Sequence, residues 1–357
     1  MNMAAPRKRS LAVARAHVTG AQGHHPTSEQ TSRGSRASHG ARRGGTPALA
    51  AISRLGGATA ITINPPEERS WAAVWGFTAR APWWLWAGLL LNIAAWVSSW
   101  GRIGPWNYTF FPLWFGFILF LDGLNVTRRG DSLLTRDWRR FVLLFPISSV
   151  YWWIFEWMNS YVQNWFYIYD QAYPALTLNL LSTLYFSTVL PAVIEMFELL
   201  ATIPALKPLT PASETGPRMA PGWVARLLLA GVALLWLPVR FPRYAYMLIW
   251  FCLIFLLDPI NNLAGRPSVF GRLLARDWKF LTTLPLAGLF CGFFWEMWNF
   301  YALPKWQYYL PFLNWTPHYF EMPLPGMLGY LPFAFELFAM YQFGLLLLGS
   351  KRDSLAY

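Results

Sequence analysis

The feature that most constrains this chain is a series of long apolar runs separated by short polar segments. Residues 83–100, 110–120, 141–155 and 247–257 contain no Asp, Glu, Lys or Arg. With their flanks, these runs reach the roughly 20 residues that an α-helix needs to cross a bilayer. Over the whole chain 55% of the residues are hydrophobic and 13% are charged, whereas about 25% are charged in soluble proteins. The sequence therefore predicts an all-α, polytopic integral membrane protein.

The chain also contains an internal duplication, in which residues 108–206 match residues 244–348. The first copy contains FILFLDGLN, SLLTRDWRRF, WIFEWMNSY and VLPAVIEMFE, and the second contains LIFLLDPINN, RLLARDWKF, GFFWEMWNFY and YLPFAFELFA. Rare polar residues keep their spacing between the copies, which chance similarity of two apolar segments would not produce. The pairs separated by 140 or 141 residues include Glu156–Glu296, Asn159–Asn299 and Glu195–Glu336.

The duplication predicts about eight transmembrane helices, arranged as two tandem parallel four-helix repeats. Because each repeat has an even number of spans, both repeats enter the membrane from the same side. The predicted spans are 83–100, 109–126, 139–159, 184–206, 223–239, 244–262, 279–300 and 326–348. The predicted domains are a disordered basic N-terminal tail (1–70), membrane repeat 1 (71–206), a Pro-rich cytoplasmic linker (207–222) and membrane repeat 2 (223–357).

The Lys and Arg residues predict the orientation of these helices. The formal net charge is +12, and the tail carries ten Lys or Arg residues against three Glu residues. The loops after the second and sixth spans are also basic, and an excess of Lys and Arg is typical of cytoplasmic loops. We therefore expect a multi-pass protein of the bacterial inner (plasma) membrane with both termini in the cytoplasm. We expect the lipid bilayer, and no nucleic acid, as a partner.

Acidic residues inside the predicted spans are the candidate functional residues. An acidic side chain inside a bilayer costs at least about 2.5 kcal/mol, so it should face the helix bundle or a cavity. No Lys or Arg occupies a mid-span position from which it would pair with these acids. The carboxyls that we predict to be catalytic, because they can give or accept a proton, are Glu156, Glu195, Glu296 and Glu336.

The local sequence around these carboxyls differs between the two pairs. Glu195 and Glu336 each lie four residues after a proline, which removes a backbone hydrogen bond and would open the helix locally. Glu156 and Glu296 each lie three residues before an asparagine on the same helix face. An alternative role for all four is to hold neighbouring helices together by hydrogen bonds. The polar residues that we predict to bind substrate are Asn159, Asn299 and Glu198.

The sequence predicts structural roles, and no catalytic role, for four aspartates. Asp137 and Asp277 stand in RDW motifs at the start of the third span of each copy, where an acid favours a helix N-terminus. Asp122 and Asp258 lie near the end of the second span, within reach of that helix start. We expect them to accept hydrogen bonds there.

The sequence lacks the motifs of the common cofactor, metal and covalent-catalysis sites. It has no P-loop, no GxSxG elbow, no HExxH and no CxxC. Its two cysteines, Cys252 and Cys291, both lie in apolar runs, and His318 is the one histidine outside the tail. We predict that the protein uses no cofactor and no metal.

The order of motifs resembles that of the small membrane lycopene cyclases of bacteria and fungi. The shared layout is LD, RDWRRF, an aromatic run ending in WE, then W.Y, and finally LP followed by Glu and Phe, and it covers residues 108–206 and 244–348. In that family two related helical units act together, as a heterodimer or as a fused chain. Where the family has an adjacent acidic pair after the proline, this chain has PAVIEMFE and PFAFE.

The resemblance implies proton-triggered cyclisation of an end group on a long isoprenoid such as a carotenoid. An acid protonates a terminal double bond, aromatic rings stabilise the carbocation, and a proton is then lost. It implies Glu195 or Glu336 as the acid. The rings that it implies for cation–π stabilisation are Trp152, Trp153 and Trp295.

Two functions of other classes fit the same residues. Paired carboxyls inside a membrane could carry protons or a cation in a coupled transporter. A non-catalytic subunit of a larger membrane complex would use them for packing alone. The sequence also leaves the oligomeric state open between a homo-oligomer and a membrane complex. A cavity that is apolar and open to lipid would favour an enzyme or a lipid-binding protein.

Overall fold

A computed structural model of the chain describes residues 80–206, 209, 215–350 and 355. The predicted basic tail and most of the first half of the predicted linker lie outside these residues. The helices are α1 (Trp83–Gly101), α2 (Phe110–Arg129), α3 (Leu133–Arg136), α4 (Trp138–Val162), α5 (Ala175–Phe186), α6 (Val189–Ala201), α7 (Pro221–Arg240), α8 (Pro242–Ala245), α9 (Cys252–Leu263), α10 (Val269–Leu274), α11 (Trp278–Phe300) and α12 (Tyr330–Leu347). The 3-10 helices are Trp106–Tyr108, Pro204–Leu206, Tyr246–Trp250 and Leu324–Gly329, and the strands are β1 (Trp165–Ile168), β2 (Lys305–Tyr308), β3 (His318–Tyr319) and β4 (Met322–Pro323).

Seven helical segments of the described chain are long and apolar enough to cross a membrane. Their bounds are Phe110–Arg129, Trp138–Val162, Ala175–Ala201, Pro221–Arg240, Pro242–Leu263, Trp278–Phe300 and Leu324–Leu347. The predicted all-α, polytopic class is confirmed. The first predicted span forms α1, a 19-residue helix that is not one of the seven, because five tryptophans, two serines and an asparagine lower its hydropathy. The count of eight spans and the division into two repeats stay predictions.

Helices α1 and α2 are in backbone contact through glycines. A Cβ atom placed on Gly116 would lie 2.6 Å from the Asn92 backbone nitrogen, and one on Gly88 would lie 2.7 Å from the Gly116 carbonyl oxygen. The Asn92 side chain adds a hydrogen bond of 2.9 Å to the Leu113 carbonyl. Small residues at a helix crossing are a common way to pack helices in lipid, where the hydrophobic effect does not drive helices together.

The span at 175–201 is broken into α5 and α6 by a turn at Ser187 and Thr188. The Ser148 hydroxyl, on α4, bridges the break: it donates to the Phe186 carbonyl (2.6 Å) and accepts from the Leu190 N–H (3.1 Å). A hydroxyl inserted between these two groups replaces the helical bond that they would otherwise make. The span begins at Ala175, nine residues before the predicted start at 184. Apolar content alone predicts neither this start nor the break between α5 and α6.

Helix α6 lies at the centre of the bundle. All of its residues except Leu199 are buried, and it packs against α2 and α4 of the first half and α11 of the second half. Helix α12 is similarly placed against α9 and α11. Helix α7, by contrast, leaves large apolar side chains exposed along its length. Such a face suits contact with lipid.

A two-stranded antiparallel sheet joins the two halves of the chain. Strand β1 pairs with β2 so that Trp165 faces Tyr308 and Tyr167 faces Trp306. The Asn164 carbonyl extends the pairing by accepting from the Tyr309 N–H (2.8 Å). Because each strand directly follows a long helix, α4 or α11, the sheet lies at one end of the helix bundle.

Candidate functional site

A cavity of about 460 Å³ lies where the two halves meet, beside β1 and β2. Its wall is mostly apolar and aromatic. The first half contributes residues that include Phe110, Trp114, Trp152, Trp165, Tyr167 and Tyr185, and the second half contributes Trp250, Trp295, Trp298, Trp306, Tyr308, Tyr330 and Phe333.

Ring contacts across the boundary between the halves hold this wall together. The ring centroids of Trp152 and Trp295 are 5.3 Å apart, and those of Phe155 and Trp250 are 5.2 Å apart and stacked. Phe110 lies 6.3 Å from Trp295 at a steep angle. Tilted and edge-on contacts at such distances are favourable for aromatic pairs. The cavity wall therefore depends on both halves.

Glu156 organises the wall from the first half. Its Oε1 atom accepts hydrogen bonds from Trp152 Nε1 (3.2 Å), Trp165 Nε1 (2.9 Å) and the Tyr167 hydroxyl (2.5 Å). All three donors line the cavity. Glu156 is itself not part of the wall, and it reaches the cavity only through these rings.

Glu296 has the matching position in the second half. Its Oε1 atom accepts from the Tyr308 hydroxyl (2.7 Å) and the Tyr330 hydroxyl (2.5 Å), while Trp306 Nε1 donates to the Tyr308 hydroxyl (2.8 Å). The Glu296 Oε2 atom is buried without a hydrogen-bond partner among the described residues. The two glutamates thus sit behind two equivalent groups of Tyr and Trp.

The tyrosines that follow the spans are neutral donors. Burial, and next the charge of Glu156, raise the pKa of Tyr167 well above its ordinary value. Burial and the charge of Glu296 do the same to the pKa of Tyr308. Both hydroxyls therefore keep their protons, which are directed at the carboxyls.

Asn159 and Asn299 fix the strands that carry these tyrosines. Asn159 Nδ2 donates to the Trp165 carbonyl (2.8 Å), and its Oδ1 atom accepts from the Trp165 N–H (3.3 Å) and also from the Asn164 N–H (2.8 Å). Asn299 makes the same contacts with Trp306, at 2.8 Å from Nδ2 and 2.9 Å to Oδ1. Asn299 lines the cavity, whereas Asn159 acts through the strand.

Glu195 and Glu336 are fully buried but do not line the cavity. Glu195 Oε2 accepts from Asn125 Nδ2 (2.8 Å), and Glu336 Oε1 accepts from the Leu253 N–H (3.0 Å) in the first turn of α9. Their second oxygens have no hydrogen-bond partner among the described residues. Both follow prolines that stand in the first turn of a helix, where no intrahelical bond is lost. Each proline stands just after an interruption of a longer apolar segment: Pro191 lies three residues after the turn at Ser187 and Thr188, and Pro332 lies three residues after the 3-10 helix that ends at Gly329.

The remaining predicted site residues divide between the cavity and its surroundings. Trp152 and Trp295 line the cavity, and their substrate-binding role stays a prediction. Trp153 lies outside the wall, where its Nε1 atom donates to Thr183 Oγ1 (3.1 Å). Glu198 also lies outside, in an ion pair with Arg136 at 2.5 Å and with Arg129 at 3.3 Å.

Asp137 and Asp277 are placed as the sequence predicts, whereas Asp122 and Asp258 bind a different helix start from the one predicted. Asp137 and Asp277 accept from the backbone N–H groups of Arg140 and Phe280 and so cap α4 and α11. Asp122 and Asp258 accept from N–H groups at the start of α3 and α10, the short helices that precede the RDW motifs. Hydrogen bonds thus match between the copies at several sequence-matched positions.

The sequence did not identify the tyrosines of the cavity wall, or the tryptophans of β1 and β2, as site residues. Tyr167, Tyr308, Trp165 and Trp306 stand in NWFY and KWQY, which match between the copies. Their positions after the spans favoured a role as membrane-interface anchors. Tyr330 has no Tyr counterpart in the first half, and no sequence signal identified it. No protein family, curated protein or solved structure matches this chain.

Proposed function

We propose that this protein binds a long apolar isoprenoid or lipid in the cavity between its two halves. The observation that supports this proposal is the cavity itself, whose walls are mostly apolar and aromatic. Its volume of about 460 Å³ falls within the roughly 300–1,000 Å³ of small-molecule sites. Many exposed apolar side chains around the bundle favour a ligand that reaches the cavity from the lipid phase.

The reaction that these residues support best is acid-catalysed cyclisation of an isoprenoid end group. A proton would add to a terminal double bond, the ring would close on the carbocation, and a proton would leave from a neighbouring carbon. When Glu156 or Glu296 is protonated, its proton would pass to the Tyr167 or Tyr308 hydroxyl as that hydroxyl gives its own proton to the double bond. The carboxylate so formed would then take up, by the reverse relay, the proton lost from the neighbouring carbon. The Trp152 and Trp295 rings would stabilise the cation. This assignment gives the acid role to Glu156 and Glu296 and does not use Glu195 or Glu336.

A binding experiment tests the proposal first. Protein purified in lipid nanodiscs would be extracted with organic solvent, and the extract compared with that from empty nanodiscs of the same lipid. We expect a co-purifying isoprenoid or lipid. Leu181→Trp, which adds a large ring to the cavity wall, should remove it, while Leu229→Trp on the exposed face of α7 should not. Equal ligand in all samples would refute binding in the cavity.

A second experiment tests the reaction. Cells that accumulate acyclic carotenoids would express the wild type or one variant, and the pigments would be extracted. We expect cyclic end groups with the wild type, and a strong loss with Glu156→Gln or Glu296→Gln. Unchanged acyclic pigment in every sample would refute the cyclisation and leave ligand binding standing.

A second candidate function is proton-coupled or cation-coupled transport. It is favoured by one observation, the unpartnered second oxygens of the fully buried Glu195 and Glu336. Reconstituted vesicles with a pH-sensitive dye inside would report proton movement. Glu195→Gln and Glu336→Gln should abolish that movement if the carboxyls carry it, and no movement with the wild type would refute transport.

The cellular setting is part of the proposal. The basic loop that contains α3 lies at the end of the bundle opposite the sheet, which favours a cytoplasmic position for that loop. We place the protein in a bacterial inner membrane with both termini in the cytoplasm and β1 and β2 on the outer side. Reporter fusions after Leu206 and after Tyr357 should both be active in the cytoplasm, and a periplasmic signal from either would contradict this orientation.

A further inference from the structure

Three polar groups in the cavity wall have no hydrogen-bond partner among the described residues. The side-chain amide of Asn164 has none at either Oδ1 or Nδ2, although the residue is only 1% exposed. The Tyr185 hydroxyl and the Trp298 Nε1 atom are likewise buried and unpartnered. All three residues line the cavity. These groups stand out because the wall is mostly apolar and aromatic.

The backbone of Asn164 holds its side chain in this position. Its N–H donates to Asn159 Oδ1 (2.8 Å), and its carbonyl accepts from the Tyr309 N–H (2.8 Å). A buried amide without hydrogen bonds destabilises a fold, and native proteins rarely leave one in that state. The partner of this amide is therefore expected inside the cavity.

The available donors and acceptors define the chemistry of that partner. An amide offers one acceptor and two N–H donors, and an indole offers one N–H donor. Lys305 is the one Lys or Arg among the described residues that line the cavity, and its ammonium is already bound by Glu321 and by the Phe300 carbonyl, so it does not call for an acidic ligand. An uncharged oxygen fits these groups: a hydroxyl can donate to the Asn164 Oδ1 atom and accept from an N–H, and a carbonyl oxygen can accept from the N–H donors.

We propose that the ligand is an oxygenated isoprenoid or lipid, whose hydroxyl or carbonyl oxygen hydrogen-bonds to the Asn164 side chain. This inference rests on the proposed function and narrows its ligand class from hydrocarbons in general to those with one neutral polar group. Asn164 lies between the end of α4 at Val162 and β1, at one end of the bundle. The oxygen thus sits near a membrane face, and the hydrocarbon chain extends along the aromatic wall.

A matched pair of ligands tests this inference. Tritiated geranylgeraniol, a C20 isoprenoid alcohol, and the hydrocarbon of the same skeleton would be bound to the protein in nanodiscs, with empty nanodiscs as the blank. We expect the alcohol to bind the wild type roughly threefold to tenfold more tightly, as one or two neutral hydrogen bonds give. A site built around a polar group discriminates against the analogue that lacks it.

The variant Asn164→Leu keeps a similar side-chain volume and removes the amide. It should lower the affinity for the alcohol to that for the hydrocarbon and leave hydrocarbon binding unchanged. Without ligand it should unfold no more easily than the wild type, because an unpaired buried amide has been removed. Equal affinities for the two ligands in the wild type, or an equal loss of both in the variant, would overturn the inference and leave the cavity proposal intact. If neither ligand binds, the cavity proposal fails and this inference fails with it.

Discussion

The clearest test of the architecture is the removal of the Asn299 side chain. It is 2% exposed, it donates to the Trp306 carbonyl at 2.8 Å, and it accepts from the Trp306 N–H at 2.9 Å. Asn299→Ala leaves both backbone groups without these partners, and each buried group left unpaired costs about 1–3 kcal/mol. We expect the free energy of unfolding to fall by about 2–6 kcal/mol. It would be measured by titration with SDS in mixed micelles, followed by tryptophan fluorescence.

Two further variants make this measurement decisive. Asn159→Ala removes the equivalent bonds in the first half and should cost a similar amount. Asn179→Ala changes an exposed asparagine on α5 and should cost less than about 0.5 kcal/mol. If Asn299→Ala is as mild as Asn179→Ala, the claim that these asparagines hold the strands is refuted. A large loss in one half alone would contradict the equivalence of the two halves.

Three other predictions concern helix packing, an ion pair and pH. Gly116→Ala should destabilise the fold by about 1–3 kcal/mol, because its Cβ would overlap the backbone of α1. Arg136→Met should cost about 2–4 kcal/mol in the same SDS titration, because it removes a short ion-pair contact from the fully buried Glu198. For Tyr308 the folded state has the higher pKa, so stability is complete below the unfolded pKa of about 10 and is lost as pH rises above it. The fall in stability above pH 10 should be shallower in Tyr308→Phe, by at most about 1.4 kcal/mol per pH unit.

Matched control variants distinguish these effects from a non-specific loss of stability. Gly222→Ala places a Cβ where no atom lies within 4 Å, and it should be neutral or slightly stabilising. Arg139→Met changes an exposed arginine in the first turn of α4, three residues after Arg136, and should have little effect. Equal losses in each variant and its control would contradict the packing and ion-pair arguments. Parallel stability curves above pH 10 for the wild type and Tyr308→Phe would contradict the pH argument.

The sequence predicted the features that depend on local composition. The spans, the buried intramembrane carboxyls and the helix-capping roles of Asp137 and Asp277 all follow from hydropathy and from the chemistry of helix ends. Each of these features needs only a few neighbouring residues to be specified. The structure places them within a few residues of their predicted positions, apart from the broken span at 175–201.

The site itself depends on contacts between distant residues, and there the sequence was a weaker guide. Trp152 and Trp153 are adjacent, but only the first faces the cavity, and only the packing of the second half decides which one does. In the sequence Glu195 lies deeper in its predicted span than Glu156, and this depth favoured Glu195 as the functional carboxyl. The structure instead places the cavity beside β1 and β2. These two strands lie about 140 residues apart in the chain, and their pairing closes that end of the helix bundle. No local pattern encodes that pairing.

The pairing of β1 with β2 has a consequence for any attempt to divide this protein. A chain cut between Leu206 and Thr215 would give two fragments, one with β1 and one with β2. Each of these strands would lack its partner, and its edge would expose unpaired peptide groups. Neither fragment could enclose a ligand, because each would supply only part of the aromatic wall. The fragments should therefore be inert alone and regain a binding site only when produced together.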